Sequence, residues 1–223
     1  MALYPINLNI SGHLCVVIGG GAVATRKISS LLCCDARVRV ISPEISSGIQ
    51  QFIDKHQLEW FPRVYTPGDL QGASLAFALT DRPEVQSQVA IEAKELGIPI
   101  NIGDNPEACT FQTAATIRRG DLLISISTGG GSPALAAAIR KEIELQYGPE
   151  YGTLVTLLRD IRNRTDRQSS SQEHHTFLVE KILQTNVLSF LKDKDWQQLE
   201  TQLFEILPQD MNVDEIVQNV RGY

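Results

Sequence analysis

Short apolar runs alternate with helical patterns through the first half of the chain. The runs predict five strands, over His13–Ile18, Arg37–Ile41, Leu58–Val64, Ser74–Leu79 and Ile98–Ile102. Apolar residues at helical spacing between them predict three helices, over Ala22–Leu32, Glu44–His56 and Pro83–Leu96. The apolar Leu3–Leu8 is expected to be an edge strand or a lead-in to the sheet. Strands that alternate with helices in this way form a doubly wound parallel sheet, so we expect an α/β domain over residues 1–112.

The pattern changes after the fifth predicted strand. A strand is predicted over Leu122–Ser127 and a helix over Ala134–Gln146, with Pro133 in its first turn. Beyond these, four more helices are predicted, over Tyr151–Arg164, Gln172–Gln184, Val187–Phe204 and Met211–Val220. We therefore expect a small α+β segment over residues 113–149 and an all-helical region over residues 150–223.

A glycine-rich turn joins the first predicted strand to the first predicted helix. Its pattern is Gly19-x-Gly21-x-x-Ala24. Gly19 lets the strand turn sharply, Gly21 lets the backbone approach a pyrophosphate, and Ala24 lets the helix pack closely. The N–H groups at the start of such a helix point at bound phosphate. The turn predicts a Rossmann-like dinucleotide site, and a purely structural glycine turn is the alternative.

The ends of the first, second and fourth strands should meet at one sheet edge and line a cofactor crevice. The second strand ends in Ser42-Pro43-Glu44, where Ser42 and Glu44 are candidates to bind ribose hydroxyls. Arg39 lies within that strand and is badly placed to bind a 2′-phosphate, which favours NAD. Thr80-Asp81 ends the fourth strand, either beside the nicotinamide ribose or as a helix N-cap. The predicted cofactor-binding residues are Gly19, Gly20, Gly21, Ala22, Val23, Ser42, Pro43, Glu44, Thr80 and Asp81.

Asp104 is the candidate catalytic carboxylate. It follows the fifth predicted strand and should lie at the mouth of the crevice, where the nicotinamide ends. A carboxylate there can take a proton while a hydride leaves to NAD. Aspartate before Asn105-Pro106 is also a common turn former, and its position alone does not decide between the two roles.

The composition and charge of the chain disfavour several classes of function. The chain has 223 residues, a net charge of −6 and 43% hydrophobic residues, which describes an ordinary globular protein and disfavours nucleic acid or anionic membranes as partners. No run of 18 apolar residues occurs, and the N-terminal stretch lacks the pattern of a secretory signal. The four cysteines, Cys15, Cys33, Cys34 and Cys109, show no metal-binding spacing. We therefore expect a cytoplasmic protein with no stored metal.

Several motifs together resemble a known family. They are IGGGAVATRK, ISPEIS, LAFALTD and NIGDNPEACTFQTAATIRRGDLLISISTGGGSPALAAAIRKEIE, in this order. The sequence is similar to the precorrin-2 dehydrogenase family of siroheme biosynthesis, which includes the dehydrogenase/ferrochelatase half of fused siroheme synthases. The resemblance implies NAD-dependent oxidation of precorrin-2 to sirohydrochlorin, with Asp104 as the catalytic carboxylate. It also implies a homodimer that interlocks through residues 113–147, and in some members insertion of Fe²⁺.

The implied substrate is a polycarboxylate, so an acidic protein needs a local cationic site for it. Arg118 and Arg119 are the candidates, together with Arg140-Lys141. The alternative interpretation of Arg140-Lys141 is that the pair belongs to the solvated face of an amphipathic helix. The turn that begins at Thr128 either cradles a carboxylate or only reverses the chain. The predicted substrate-binding residues are Thr128, Gly129, Gly130, Arg118 and Arg119. The alternative function is a non-catalytic dinucleotide-sensing module, whereas a small-acid dehydrogenase would need a His or Lys that the strand-end loops lack.

Overall fold

The computed structural model describes residues 3–167 and 172–222. Its contacts divide the chain into two units, Met1–Thr113 and Ala114–Tyr223. The first unit is built on a five-stranded parallel sheet with the order β3-β2-β1-β4-β5. This is the doubly wound α/β arrangement predicted from the sequence, and the strand order reverses direction at β1.

The elements of the first unit keep close to their predicted bounds. They are β1 Leu14–Ile18, α1 Ala22–Leu32, β2 Arg37–Ile41, α2 Ser47–Asp54, β3 Leu58–Phe61, β4 Leu75–Ala78, α3 Pro83–Glu95 and β5 Ile100–Ile102. Helix α2 begins later than the predicted Glu44 because Ser46 caps it and accepts a hydrogen bond from Ile49 N at 3.4 Å. The segment Leu3–Leu8 forms no strand and is exposed.

The core of the first unit lies on both faces of the central strands. Val16 and Ile18 pack on the face that carries α3, whereas Cys15 and Val17 pack on the face that carries α1. Because both faces are covered, β1 and β4 are apolar throughout instead of alternating. The carboxyl ends of the three central strands lie level, since Ile18 pairs with both Ile41 and Ala78.

The second unit begins with an antiparallel hairpin, β6 Ala115–Arg119 and β7 Leu122–Ile126, followed by α4 Pro133–Gln146. Strand β7 was predicted and β6 was not. Its sequence ATIRR mixes alanine with charged residues, and Ile117 is its one buried side chain. The hairpin turns at Gly120, whose φ of +54° suits glycine.

Five helices complete the described part of the second unit. They are α5 Glu150–Arg167, α6 Gln172–Leu183, α7 Val187–Asp193, α8 Trp196–Ile206 and α9 Val213–Arg221. The single helix predicted over Val187–Phe204 is wrong, because Lys194 adopts a left-handed conformation with φ +56°. Asp195 then caps α8 and accepts from Gln198 N at 3.1 Å. No helix of the described residues is long and apolar enough to cross a membrane.

Candidate functional site

A cavity of about 660 Å³ opens at the carboxyl edge of the sheet in the first unit. Residues 18–21 of β1 and its turn, 41–46 after β2 and 79–82 after β4 line it. Val64, Tyr65 and Val85 complete the lining. The structure therefore brings together the three strand ends that the sequence assigned to the cofactor crevice, in a cavity of the size that binds small molecules.

Gly19 and Gly20 are required by close backbone packing at this edge. Gly19 has φ +120°, and a Cβ there would lie 2.5 Å from the carbonyl oxygen of Leu79. A Cβ at Gly20 would lie 1.9 Å from the carbonyl oxygen of Glu44. The same loop donates a hydrogen bond from Ser46 N to Gly20 O at 2.8 Å. The loop after β2 thus packs directly on the glycine turn, a contact that nothing in the local sequence indicates.

Gly21 differs, because a Cβ there would meet no protein atom within 4 Å. It is the N-cap of α1, no side chain caps this helix, and its first turn holds no acidic residue. Among the described residues, the N–H groups at the start of α1 therefore have no anionic side chain as a partner. Ala22 and Val23 form this first turn, outside the lining of the cavity. In shape and charge, the turn fits the diphosphate of a dinucleotide.

The loop after β2 is held by its own hydrogen bonds. Ser42, only 8% exposed, donates from Oγ to Glu44 O at 2.6 Å. Trp60 Nε1 donates to Ser42 O at 2.9 Å. Ser42, Pro43 and Glu44 all line the cavity, as expected of ribose-binding candidates. Through its hydrogen bond, the Ser42 hydroxyl also holds the Glu44 carbonyl, which packs against Gly20.

Basic side chains near β2 and β3 are paired with carboxylates. Arg39 lies 3.3 Å from Glu59, and Arg63 donates to both oxygens of Asp69 at 2.7 and 2.6 Å. Arg82, which the sequence did not point to, is the only Lys or Arg among the described residues that line the cavity. The β2 end therefore offers no guanidinium or ammonium group to a 2′-phosphate among its lining residues.

Thr80 and Asp81 form the third wall of the cavity. The N-cap of α3 is Arg82, so neither of them has the N-cap role that was the alternative. Thr80 Oγ1 accepts from Arg82 N at 3.4 Å, and Gln86 Nε2 donates to Thr80 O at 2.7 Å. These bonds tie the end of the β4 segment to the start of α3.

Tyr65 joins the cavity wall to α3 and was also missed, because it lies in a loop without periodic pattern. Its hydroxyl donates to Glu92, whose carboxylate also accepts from Gly68 N at 3.1 Å and Leu70 N at 3.2 Å. Burial, together with the hydrogen bond to Glu92, raises the pKa of Tyr65. In the same loop, burial would raise the pKa of Asp69, but hydrogen bonds from Arg63 and Thr66 outweigh it and hold that pKa below its ordinary value.

Asp104 follows β5, the strand beside β4, and is exposed. It lies at the same edge of the sheet as the cavity but is not one of the lining residues. Next to it, Asn105 Oδ1 accepts from Ala108 N at 3.3 Å and so caps the short 3₁₀ turn Pro106–Ala108. Its role as the catalytic carboxylate stays a prediction.

The predicted substrate residues lie in the second unit, where Arg119, Thr128 and Gly129 form hydrogen bonds within that unit. Arg119 Nε donates to Tyr147 O at 3.1 Å, and Thr128 Oγ1 accepts from Ser132 N at 3.1 Å. Gly129 and Gly130 adopt φ of +62° and +84° in the turn that Thr128 closes. Arg118 is exposed on β6. Arg140 pairs with Glu144 at 2.5 Å on α4, as on a solvated helix face.

No group of three or more His, Cys, Asp or Glu side chains suited to a metal ion occurs within residues 3–167 and 172–222, as far as their side chains are described. Metal insertion therefore stays a prediction from resemblance.

Comparison with known proteins gives consistent matches. The family described as "Putative NAD(P)-binding" matches residues 6–115, and "Sirohaem biosynthesis protein central" matches residues 119–146. The chain is 36% identical over 189 residues to a siroheme synthase of Nitrosomonas eutropha, covering 82% of this chain and 39% of that protein. It is 37% identical over 164 residues to a siroheme synthase of Methylococcus capsulatus, covering 74% and 35%.

A solved structure, "SirC, precorrin-2 dehydrogenase", shares the fold, with a TM-score of 0.68 and 23% identity over 99% of this chain and all of that one. The chain spans about two fifths of the length of the curated relatives it matches, 39% in the case of the Nitrosomonas eutropha protein. The motifs, the fold and these matches agree over both units. The chain is therefore similar to siroheme synthases, with an NAD(P)-binding match over residues 6–115 and a sirohaem biosynthesis match over residues 119–146.

Proposed function

We propose that this chain catalyses the NAD-dependent oxidation of precorrin-2 to sirohydrochlorin. The observation that carries the proposal is the uncapped start of α1, which meets a cavity of about 660 Å³ where the strand order reverses. Asp104 follows β5, which lies two strands away from β1 in the sheet, and so it lies at the same edge of the sheet. The similarity to siroheme synthases supports the choice of substrate.

The first unit would bind NAD along the carboxyl edge of its sheet. Gly21 and the first N–H groups of α1 would hold the diphosphate, because the space at Gly21 is open and no described side chain caps the helix. The Ser42–Glu44 loop would border the adenosine ribose, and Thr80 with Asp81 would border the nicotinamide side. When bound, NAD supplies an acceptor for a hydride.

Asp104 would act as the general base. The oxidation removes one hydride and one proton from precorrin-2 and leaves a new double bond in the product. The hydride goes to the nicotinamide, and the Asp104 carboxylate takes the proton. Asp104 is exposed and forms no hydrogen bond or ion pair with other described residues, so it is accessible to a bulky substrate.

The second unit would contribute contacts to the substrate carboxylates. Arg118 is exposed on β6, and the Gly129–Gly130 turn is exposed before α4. Arg119 and Thr128 would hold these elements in shape through their bonds to Tyr147 and Ser132. A protein of net charge −6 needs such local groups to bind a polyanion.

We also propose that the chain forms a homodimer through residues 113–147. Within this segment, α4 exposes Leu135 by 52% and Leu145 by 89%, which is apolar surface that a partner subunit would cover. Light scattering should give twice the chain mass of 24.7 kDa. A mass of one chain at micromolar concentration would contradict the dimer.

The proposed activity is tested by mixing the purified protein with precorrin-2 and NAD under anaerobic conditions. Formation of sirohydrochlorin together with an equal amount of NADH supports the proposal. Tight NAD binding without any oxidation would contradict it and favour the sensing module.

A further inference from the structure

The loop that carries Asp104 is short and open. Residues 103–108 leave the sheet after Ile102 and return beside it at Cys109. Asp104 itself forms no hydrogen bond or ion pair with other described residues. The position of its carboxylate is therefore set by the backbone of this loop, and whatever holds that backbone controls the carboxylate.

The Cys109 side chain joins the two ends of the loop. Ile102 N donates to Cys109 Sγ at 3.1 Å. The same sulfur lies 3.4 Å from Ile102 O and 3.3 Å from Asn105 O, so its S–H can donate to one of these carbonyls. Ile102 precedes Asp104 and Asn105 follows it. One thiol thus contacts the chain on both sides of the carboxylate.

Cys109 can act as an anchor because the residues after it are fixed to the sheet. Thr110 N donates to Ile100 O at 2.9 Å, and Thr110 Oγ1 accepts from Ile100 N at 2.7 Å. Asn101 Nδ2 donates to Phe111 O at 3.1 Å. The Phe111 ring packs edge-on against Phe77 of β4, with centroids 5.4 Å apart. Residues 109–111 are therefore tied along the outer side of β5.

We propose that Cys109 is a positioning residue for Asp104, an inference that rests on the proposed dehydrogenase function. Its half-buried thiol packs against the apolar cluster of the α3 face while its sulfur holds the loop. Alanine would remove both the acceptor and the donor. Serine would keep both groups on a shorter bond and should hold the loop in part.

The test compares Cys109→Ala and Cys109→Ser with the wild type, with Cys33→Ser as a matched control because Cys33 is an exposed thiol at the end of α1. In the alanine variant, kcat for precorrin-2 oxidation should fall roughly tenfold or more, since small displacements of a catalytic group are costly. The Kd for NAD should stay within about twofold, because the diphosphate site is elsewhere. Serine should recover part of kcat, and the Cys33 variant should match the wild type.

An unchanged kcat in Cys109→Ala, or equal losses of kcat and NAD affinity, would overturn the proposal. A second readout is independent of activity: amide hydrogen exchange of residues 103–108 should be faster in Cys109→Ala and intermediate in Cys109→Ser, while exchange in β1 stays the same. If the wild type fails to oxidise precorrin-2, the proposed function is wrong. Exchange then still decides whether Cys109 holds the loop, and unchanged exchange in the alanine variant would refute that role.

Discussion

Replacing Gly21 by aspartate should leave the fold intact and remove the dinucleotide site. A Cβ at Gly21 has no protein atom within 4 Å, and the residue has φ −83° and ψ −172°, an extended conformation that aspartate adopts freely. Aspartate is also a preferred N-cap, whereas α1 now has no side-chain cap. The free energy of unfolding should therefore stay the same or rise by a few tenths of a kcal/mol.

The same change should weaken NAD binding strongly. The new carboxylate would occupy the N–H groups that we assign to the diphosphate, and each charge-assisted hydrogen bond lost costs about 1.5–3 kcal/mol. Like charges at roughly 5 Å add a repulsion of about 3 kcal/mol at an effective dielectric constant near 20. A loss of at least about 3 kcal/mol corresponds to a Kd more than about 100-fold weaker.

Calorimetric titration with NAD and urea unfolding measure the two effects separately. Gly20→Ala is the matched control: its Cβ would lie 1.9 Å from Glu44 O, so it should destabilise the protein itself by about 1–3 kcal/mol. Unchanged NAD affinity in Gly21→Asp would refute the assignment of the diphosphate. A fall in its unfolding free energy as large as that of Gly20→Ala would refute the reasoning about space at Gly21.

Two further predictions concern the charged groups near the cavity. Because the pKa of Asp69 is lowered in the folded protein, its contribution to stability is present above the ordinary Asp value of about 4 and is lost as pH falls through the lower folded value. Asp69→Asn should therefore cost about 1–3 kcal/mol in urea unfolding at pH 7 but much less near pH 3, and an equal cost at both pH values would contradict the pairing with Arg63. NAD should bind at least about tenfold more tightly than NADP, because Arg39 and Arg63 are already paired with Glu59 and Asp69. Equal Kd values for NAD and NADP in parallel titrations would contradict the explanation that both arginines are already paired.

Local signals in the sequence predicted the part of the site that depends on adjacent residues. The glycine turn set the start of α1 at Ala22, and the β-branched run set β2 at Arg37–Ile41. Contacts between distant segments were not predictable in this way. The packing of Glu44 O on Gly20 and the bond from Tyr65 to Glu92 both depend on how loops approach each other in space.

Two element-level errors have similar causes. Strand β6 lacks an apolar run because most of its side chains are not buried, so periodicity gave no signal. The break between α7 and α8 depends on Lys194 adopting a left-handed conformation, which is uncommon for lysine. Asp195 caps α8 directly after this break, and an aspartate at this place was the sequence signal from which the start of α8 could have been predicted.

The most direct test of the central claim compares the wild type with Asp104→Asn in anaerobic oxidation of precorrin-2 by NAD. The asparagine keeps the shape of the side chain but cannot take a proton. We predict sirohydrochlorin and NADH in equal amounts from the wild type, and a rate lower by about 100-fold or more in the variant, with NAD affinity unchanged. Absence of oxidation by the wild type, or full activity in Asp104→Asn, would contradict the account.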